Sequence, residues 1–324
     1  MKELLKYRNQ IYGFSALWIL FFHINNHVPI SLPILSLFLK VGNCGVDIFM
    51  FLSGYCLTLS YNKNPNLTHF YKKRVTRLLI PYLLISIPYY WYKNIVRTPT
   101  LDGHFNLLGF INDITGYSFW FEGLRTTWFV FAIFLMYLLF PAFYRIIKRN
   151  IIQAFSLVFL LYLLIVFLYL FNSGYSLYSI AVCRFPTFVM GMIFSLYKLG
   201  PKHNKYILLL SICYLVVFIF VFPIRIYLPT TLMWLFYMSF VVPIIYLIGF
   251  VSERVKIKGI CNYVGLISLE IYLIHVMILN IMNWHGFIQE YNYYLFIIVP
   301  VLALALSWIF SILSKNIINK IIQI

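Results

Sequence analysis

The sequence predicts an all-α protein, a polytopic membrane bundle of about ten transmembrane helices with both termini cytoplasmic. Three observations predict it. First, 63% of the 324 residues are hydrophobic and only 10% are charged, against about 25% charged in a soluble domain. Second, apolar runs near the roughly 20 residues needed to cross a bilayer recur along the whole chain. Third, Lys and Arg gather in alternate short loops, the asymmetry that orients membrane helices. No polar stretch is long enough for a separate soluble domain, so residues 1–324 read as one integral membrane domain.

The first span, 11–28, follows the basic segment MKELLKYRNQ. No small-residue cleavage site follows its apolar run, so it reads as a retained helix and not a signal peptide. The second span, 35–60, contains GNCGVDIFMFLSGYCLTLSY, and the third, 78–96, follows the basic run FYKKRVTR. Spans at 119–141, 151–171, 177–197, 206–223 and 230–250 come next. The ninth, 262–282, and the tenth, 293–314, are joined by the outer loop NWHGFIQEYN. The largest outer loop, 97–118, holds Asp102 and Asp113. With the N-terminus inside, 19 of the 25 basic residues fall in cytoplasmic segments. The other six are Lys40, Lys93, Arg97, Arg125, Arg184 and Arg225.

That distribution explains the net charge of +17 as topology and not as affinity for nucleic acid. The five cysteines (Cys44, Cys56, Cys183, Cys213, Cys261) are scattered and form no CxxC pair. They read as small hydrophobes, with no metal site and no disulfide framework expected. No GxxxxGK[ST] loop and no GxGxxG fingerprint is present, which argues against ordinary ATP hydrolysis and nicotinamide chemistry.

Polar groups within spans carry the functional signal, because lipid tolerates them poorly. His23 lies in the outer half of the first span, and neutral imidazole acts as a base near physiological pH. The plainer reading is a packing histidine. Asp47 lies midway along the second span and requires a cationic or hydrogen-bonding partner. His23 is the candidate, since consecutive spans tend to be neighbours; Asp47 would then orient the base, as a catalytic pair. A purely structural Asp47 contact is the alternative. Arg125, after Trp120 and Phe121, and Arg184, opening CRFPTFVMGMIFSL, either snorkel outward or line a cavity for an anionic or sugar ligand. In the ninth span Gly265, Ser268, Tyr272 and His275 recur at helical spacing and so share a face toward a cavity or a neighbouring helix. Glu270 falls on another face and needs its own partner. Arg74 and Arg77, at i and i+3, share a face beside Lys72 and Lys73. They are either topology charge and headgroup contacts or a clamp for a phosphorylated cytosolic ligand.

As an ordered set these segments resemble the acyltransferase 3 family, integral membrane O-acyltransferases that modify cell-surface sugars. The resemblance runs from about residue 7 to 315. GVDIFMFLSGYCLT is similar to the family's glycine-valine-aspartate and serine-glycine segment, and FYKKRVTRLLIPYLL to its arginine-x-x-arginine segment. WFVFAIFLMYLLFP, RFPTFVMGMIFSL and SLEIYLIHVMIL are similar to later helices. The resemblance implies a cytoplasmic acyl-CoA donor, usually acetyl-CoA, and as acceptor a sugar hydroxyl of a lipid-linked or growing glycan. No bound cofactor is implied. His23 then carries over as the base and Arg74 and Arg77 as donor-binding groups. Asp47, Ser53 and Gly54 carry over as members of the second-helix motif. One position departs from the pattern. The family usually has arginine eleven residues before the histidine, where this chain has Tyr12. Arg8, one turn earlier on the same face, is the candidate substitute. Two other readings stand beside the enzyme of the cytoplasmic membrane: a transporter or flippase of lipid-linked saccharide, and a degenerate family member with an accessory role.

Overall fold

The computed structural model describes residues 6–98, 104–172, 174–198, 230–254 and 258–323. Among them every regular element is helical and there is no strand. Five helices are long and apolar enough to cross a membrane, or six if a helix pair flanking a short break counts as one span. The expected span 206–223 lies outside the described residues. The chain forms two compact units. The first comprises Met1–Pro65, Leu139–Asn172 and Val182–Ser268; the second comprises Asn66–Leu138, Ser173–Ala181 and Leu269–Ile324.

In the first unit, α1 (Arg8–His27), α2 (Pro33–Lys40) and α3 (Cys44–Lys63) follow one another. The sequence predicts one span over 35–60, but the chain turns at Val41, Gly42 and Asn43. The cause is local. Gly42 lies against the Trp18 carbonyl and the Phe22 Cβ, where a side chain would not fit. Trp18 holds α2 in place by donating from Nε1 to the Phe38 carbonyl at 2.8 Å and stacking on the Phe38 ring at 5.0 Å. Ile11, Trp18, Ile48, Phe51 and Leu52 form a core with Phe240, Val241 and Ile244. The last three lie on α11 (Thr230–Arg254).

Two helix pairs in this unit pack backbone to backbone through glycine. Gly54 of α3 faces the Phe188 carbonyl of α10 (Phe185–Leu196), and Gly191 of α10 faces the Phe51 carbonyl of α3. Likewise Gly13 of α1 meets Cys261 and Gly265 meets Asn9, joining α1 to α12 (Lys258–Leu266). Small residues that let helix backbones approach are the usual adhesive of membrane bundles, where dispersion and not water exclusion drives association. Of the remaining helix here, α8 (Ile151–Phe171), only 17% is buried. An apolar helix with an exposed apolar surface is adapted to lipid.

In the second unit, α4 (Leu67–Trp91) starts at an Asn66 cap that accepts from the His69 amide at 2.9 Å. The helix therefore begins before the predicted 78 and carries Arg74 and Arg77 itself. It passes into a π-helical turn, Tyr92–Arg97, and packs on α5 (Leu107–Thr115) and α14 (Leu295–Gln323). The expected loop 97–118 is thus partly helical, and Asp113 is buried on α5; Asp102 lies outside the described residues. A short α6 (Tyr117–Glu122) ends at Gly123, whose φ of +78° glycine adopts without strain. The fourth span consequently starts as α7 (Trp128–Arg149), later than the predicted 119. Before α10 the chain forms α9 (Tyr175–Val182), and a turn at Cys183 and Arg184 separates the two helices. Tyr175–Leu196 together is still one of the five segments long and apolar enough to cross a membrane, in line with the predicted span 177–197. The predicted ninth span is broken: α12 ends at Leu266 and α13 (Ser268–Trp284) begins after Ile267.

Candidate active site

Within the first unit, α1 and α3 run in opposite directions, as glycine contacts reveal. Gly42 meets Trp18 and Phe22, whereas Gly45 meets Ser15 and Ile19. His23, one residue past Phe22, is therefore level with the turn before α3. Asp47 is level with Ser15, about eight residues or roughly 12 Å further along the axis. His23 is half-buried and its ring contacts Phe22 edge-on at 5.0 Å. The residue lies four positions before the end of α1 at His27.

The cation beside Asp47 is not His23 but Arg184. Arg184 Nε lies 3.6 Å from Asp47 Oδ2, and both side chains are 1% exposed. The expected Asp47–His23 pair is corrected accordingly, because the α1–α3 register separates the two residues in depth. Of the two readings open for Arg184, snorkelling is excluded by its 1% exposure. Arg184 is the N-cap residue of α10 at the break after α9, and its side chain turns inward. At 3.6 Å the contact is longer than the 2.7–2.9 Å of a charge-assisted hydrogen bond. It works as an ion pair in a medium of low dielectric constant, where each charge needs the other. The sequence contained a signal for this pairing: each residue is a lone charge within a long apolar run. Weighting nearness in sequence led to His23 instead.

Arg8 is exposed and bonds through Nε and Nη2 to Asn9 Oδ1 at 3.4 and 3.3 Å. Asn9 in turn donates to Asn262 Oδ1 at 3.0 Å. Tyr12 stacks on Phe49 at 5.2 Å and packs against the core. Ser53 is half-buried on α3, next to the packing glycine Gly54.

In the second unit, Arg74 is half-buried and Arg77 exposed on the first turns of α4. Lys73, the residue before Arg74, has its ammonium pKa lowered, first by burial and then by the charges of Arg77 and Arg74. Such mutual repulsion is relieved when an anion binds. Arg125 stands in the loop before α7, exposed, and donates to the Ser176 carbonyl at 3.3 Å. Tyr272 packs on Phe129 at 5.1 Å, and the buried His275 uses Nδ1 on the Ile271 carbonyl at 2.7 Å. The stripe from Gly265 to His275 is not one helix face, because the break at Ile267 interrupts the period. Gly265 packs on Asn9 instead, and Ser268 opens α13. Glu270 accepts from Ser314 Oγ at 3.3 Å.

A polar group that the sequence reading passed over surrounds Asp113. Lys93 Nζ and Asn94 Nδ2 each donate to Asp113 Oδ2 at 2.8 Å, and Tyr82 donates to the Ile114 carbonyl at 2.8 Å. Nearby rings carry polar handles: Asn280 donates to Tyr89 Oη at 2.9 Å, and Arg97 covers the Trp284 ring at 4.7 Å. Lys93 was visible only as a charge at the outer end of the third predicted span and Asp113 only as a loop charge, since the π-helical turn carrying Lys93 has no sequence signature. Among the described residues no group of three or more His, Cys, Asp or Glu side chains is placed to hold a metal ion.

The fold and these side chains define a class: an all-helical membrane-type protein with a histidine near one helix end and basic pairs at the start of another. A family model described as an acyltransferase domain, acyltransferase 3, matches residues 9–316. The chain belongs to that family. No curated protein and no solved structure gives a significant match.

Proposed function

We propose that this protein is a membrane-embedded O-acyltransferase of the cytoplasmic membrane, with ten spans and both termini inside. It moves an acyl group, acetyl by resemblance, from cytoplasmic acyl-CoA to a sugar hydroxyl of a cell-envelope glycan or lipid-linked saccharide. The observation that carries this reading is the family match over residues 9–316 in a chain that keeps His23 in its first helix. In the proposed step His23 takes the proton of the acceptor hydroxyl as that oxygen attacks the thioester carbonyl. The carbon–sulfur bond breaks, and the imidazolium returns the proton to the departing CoA sulfur. A base in this position contributes roughly 10²–10⁴-fold. Arg74 and Arg77 bind the phosphates of the donor.

The test uses full-length protein in lipid nanodiscs with labelled acetyl-CoA and a panel of surface glycans. Label transferred to glycan by the wild type, and lost at least 100-fold in His23→Ala that still inserts and elutes as one species, supports the proposal. Near-normal transfer by His23→Ala removes His23 from the mechanism. Saccharide movement across the bilayer without label transfer would identify a transporter instead.

A further inference from the structure

A cavity of about 530 Å³ lies between the end of α3 and the end of α7, within the first unit. Tyr61, Pro141 and Tyr144 line it together with the exposed cations Arg145, Lys148 and Arg149. Its aromatic wall is fixed. Tyr144 donates to Asn62 Oδ1, and the Tyr61 ring meets the Tyr144 ring edge-on at 5.0 Å. The three cations fall at i, i+3 and i+4 and share one helix face. Lys148 Nζ lies 5.8 Å from the Tyr144 ring centre. No carboxylate lines the cavity, and the ion pairs found among the described residues involve none of these three side chains. Like charges gathered at a cavity without a counter-charge favour an anionic occupant.

An open apolar surface depression of about 480 Å³ begins two residues further on. Ile151, Ile152, Phe155, Ser156 and Phe159 line it along the first turns of α8. Ile152, Phe155 and Phe159 are 75%, 44% and 61% exposed. From 151 to 159 the helix rises about 12 Å, roughly the depth of one hydrocarbon leaflet. Cations at the interfacial end of one membrane helix are thus followed by an apolar groove that enters the bilayer.

We propose that residues 145–159 bind one anionic phospholipid of the inner leaflet. Its phosphate sits on Arg145, Lys148 and Arg149, and one acyl chain lies along Ile152, Phe155 and Phe159. The inner leaflet follows from the topology proposed above. A phosphate ligand from solution has no use for the apolar groove, and a charge that only sets topology needs no cavity.

The test is native mass spectrometry of the full-length protein in detergent, titrated with phosphatidylglycerol or phosphatidylcholine. One phosphatidylglycerol retained in preference to phosphatidylcholine is expected. R145Q/K148Q/R149Q lowers that affinity roughly 100-fold, about fivefold per cation, and each single variant lowers it about fivefold should the triple variant not elute cleanly. F155S/F159S reduces retention of the long-chain lipid while leaving a water-soluble glycerophosphodiester unaffected. Equal retention of the two lipids, or retention indifferent to the three cations, overturns the proposal. So does displacement of the lipid by CoA through those same cations, which would make this a nucleotide site.

Discussion

Arg184 at the start of α10 places its Nε 3.6 Å from Asp47 Oδ2 on α3, and neither side chain reaches solvent. The pair ties together the same two helices that approach through Gly54 and Gly191. An ionic contact and a backbone contact therefore act on one interface.

Removing Arg184 takes from the buried Asp47 the cation beside it, and removing Asp47 takes from Arg184 its carboxylate partner at 3.6 Å. Asp47→Asn and Arg184→Met should each destabilise the protein by about 3–5 kcal/mol. The double variant should recover much of that loss, because neither charge then remains. Thermal unfolding of the four proteins in detergent checks this as a double-mutant cycle. Additive losses would mean that the two residues are not coupled.

A methyl group on Gly54 would collide with the Phe188 carbonyl, part of a backbone that cannot rotate away. Gly54→Ala should cost about 1–3 kcal/mol through overpacking and lower activity with it. Gly259 on α12 has nothing within 4 Å of the corresponding position. Gly259→Ala should be neutral or stabilising by up to about 1 kcal/mol from helix propensity. Equal melting temperatures for the two variants would refute the packing account.

What the sequence made legible follows from the range of the interactions. Helices α1, α7 and α8 stand out because apolar runs and flanking charges are local signals. Breaks at Val41–Asn43, Cys183–Arg184 and Ile267 were hidden, because tertiary contacts such as Gly42 on Trp18 decide them. The place of His23 in the first helix was readable from the local apolar run. The partner of Asp47 was not, because Arg184 is brought to it only by the α3–α10 packing. The first unit's basic cavity was likewise divided between Tyr61 and Arg145, two segments that look unrelated in sequence.

Arg74 and Arg77 are predicted to act on the donor. Arg74→Ala and Arg77→Ala should each raise KM for acyl-CoA about 10–100-fold, the value of a charged hydrogen bond of about 1.5–3 kcal/mol, with KM for the acceptor unchanged. Wild type should lose part of the same discrimination with a CoA donor lacking the 3′-phosphate. Steady-state kinetics with donor and acceptor varied separately makes the measurement. A change confined to the acceptor would contradict donor binding.

The last prediction concerns the cation that the family usually carries eleven residues before His23 and that this chain replaces with Tyr12. Tyr12 stacks on Phe49, and Arg8 is tethered to Asn9, which bonds to Asn262. Arg8 lies four residues from Tyr12, a rise of about 6 Å that an arginine side chain can bridge. If Arg8 supplies the missing charge when ligand binds, Arg8→Ala should reduce transfer more than Lys6→Ala, and Tyr12→Arg should restore part of it. The Asn9 tether gives a second readout. Asn9→Ala frees the guanidinium, so transfer should be maintained or raised even though the bond to Asn262 is lost. Equal transfer by Arg8→Ala, Lys6→Ala and the Arg8→Ala/Tyr12→Arg double variant would show that Arg8 is a topology charge, leaving Tyr12 to serve only the core around Phe49.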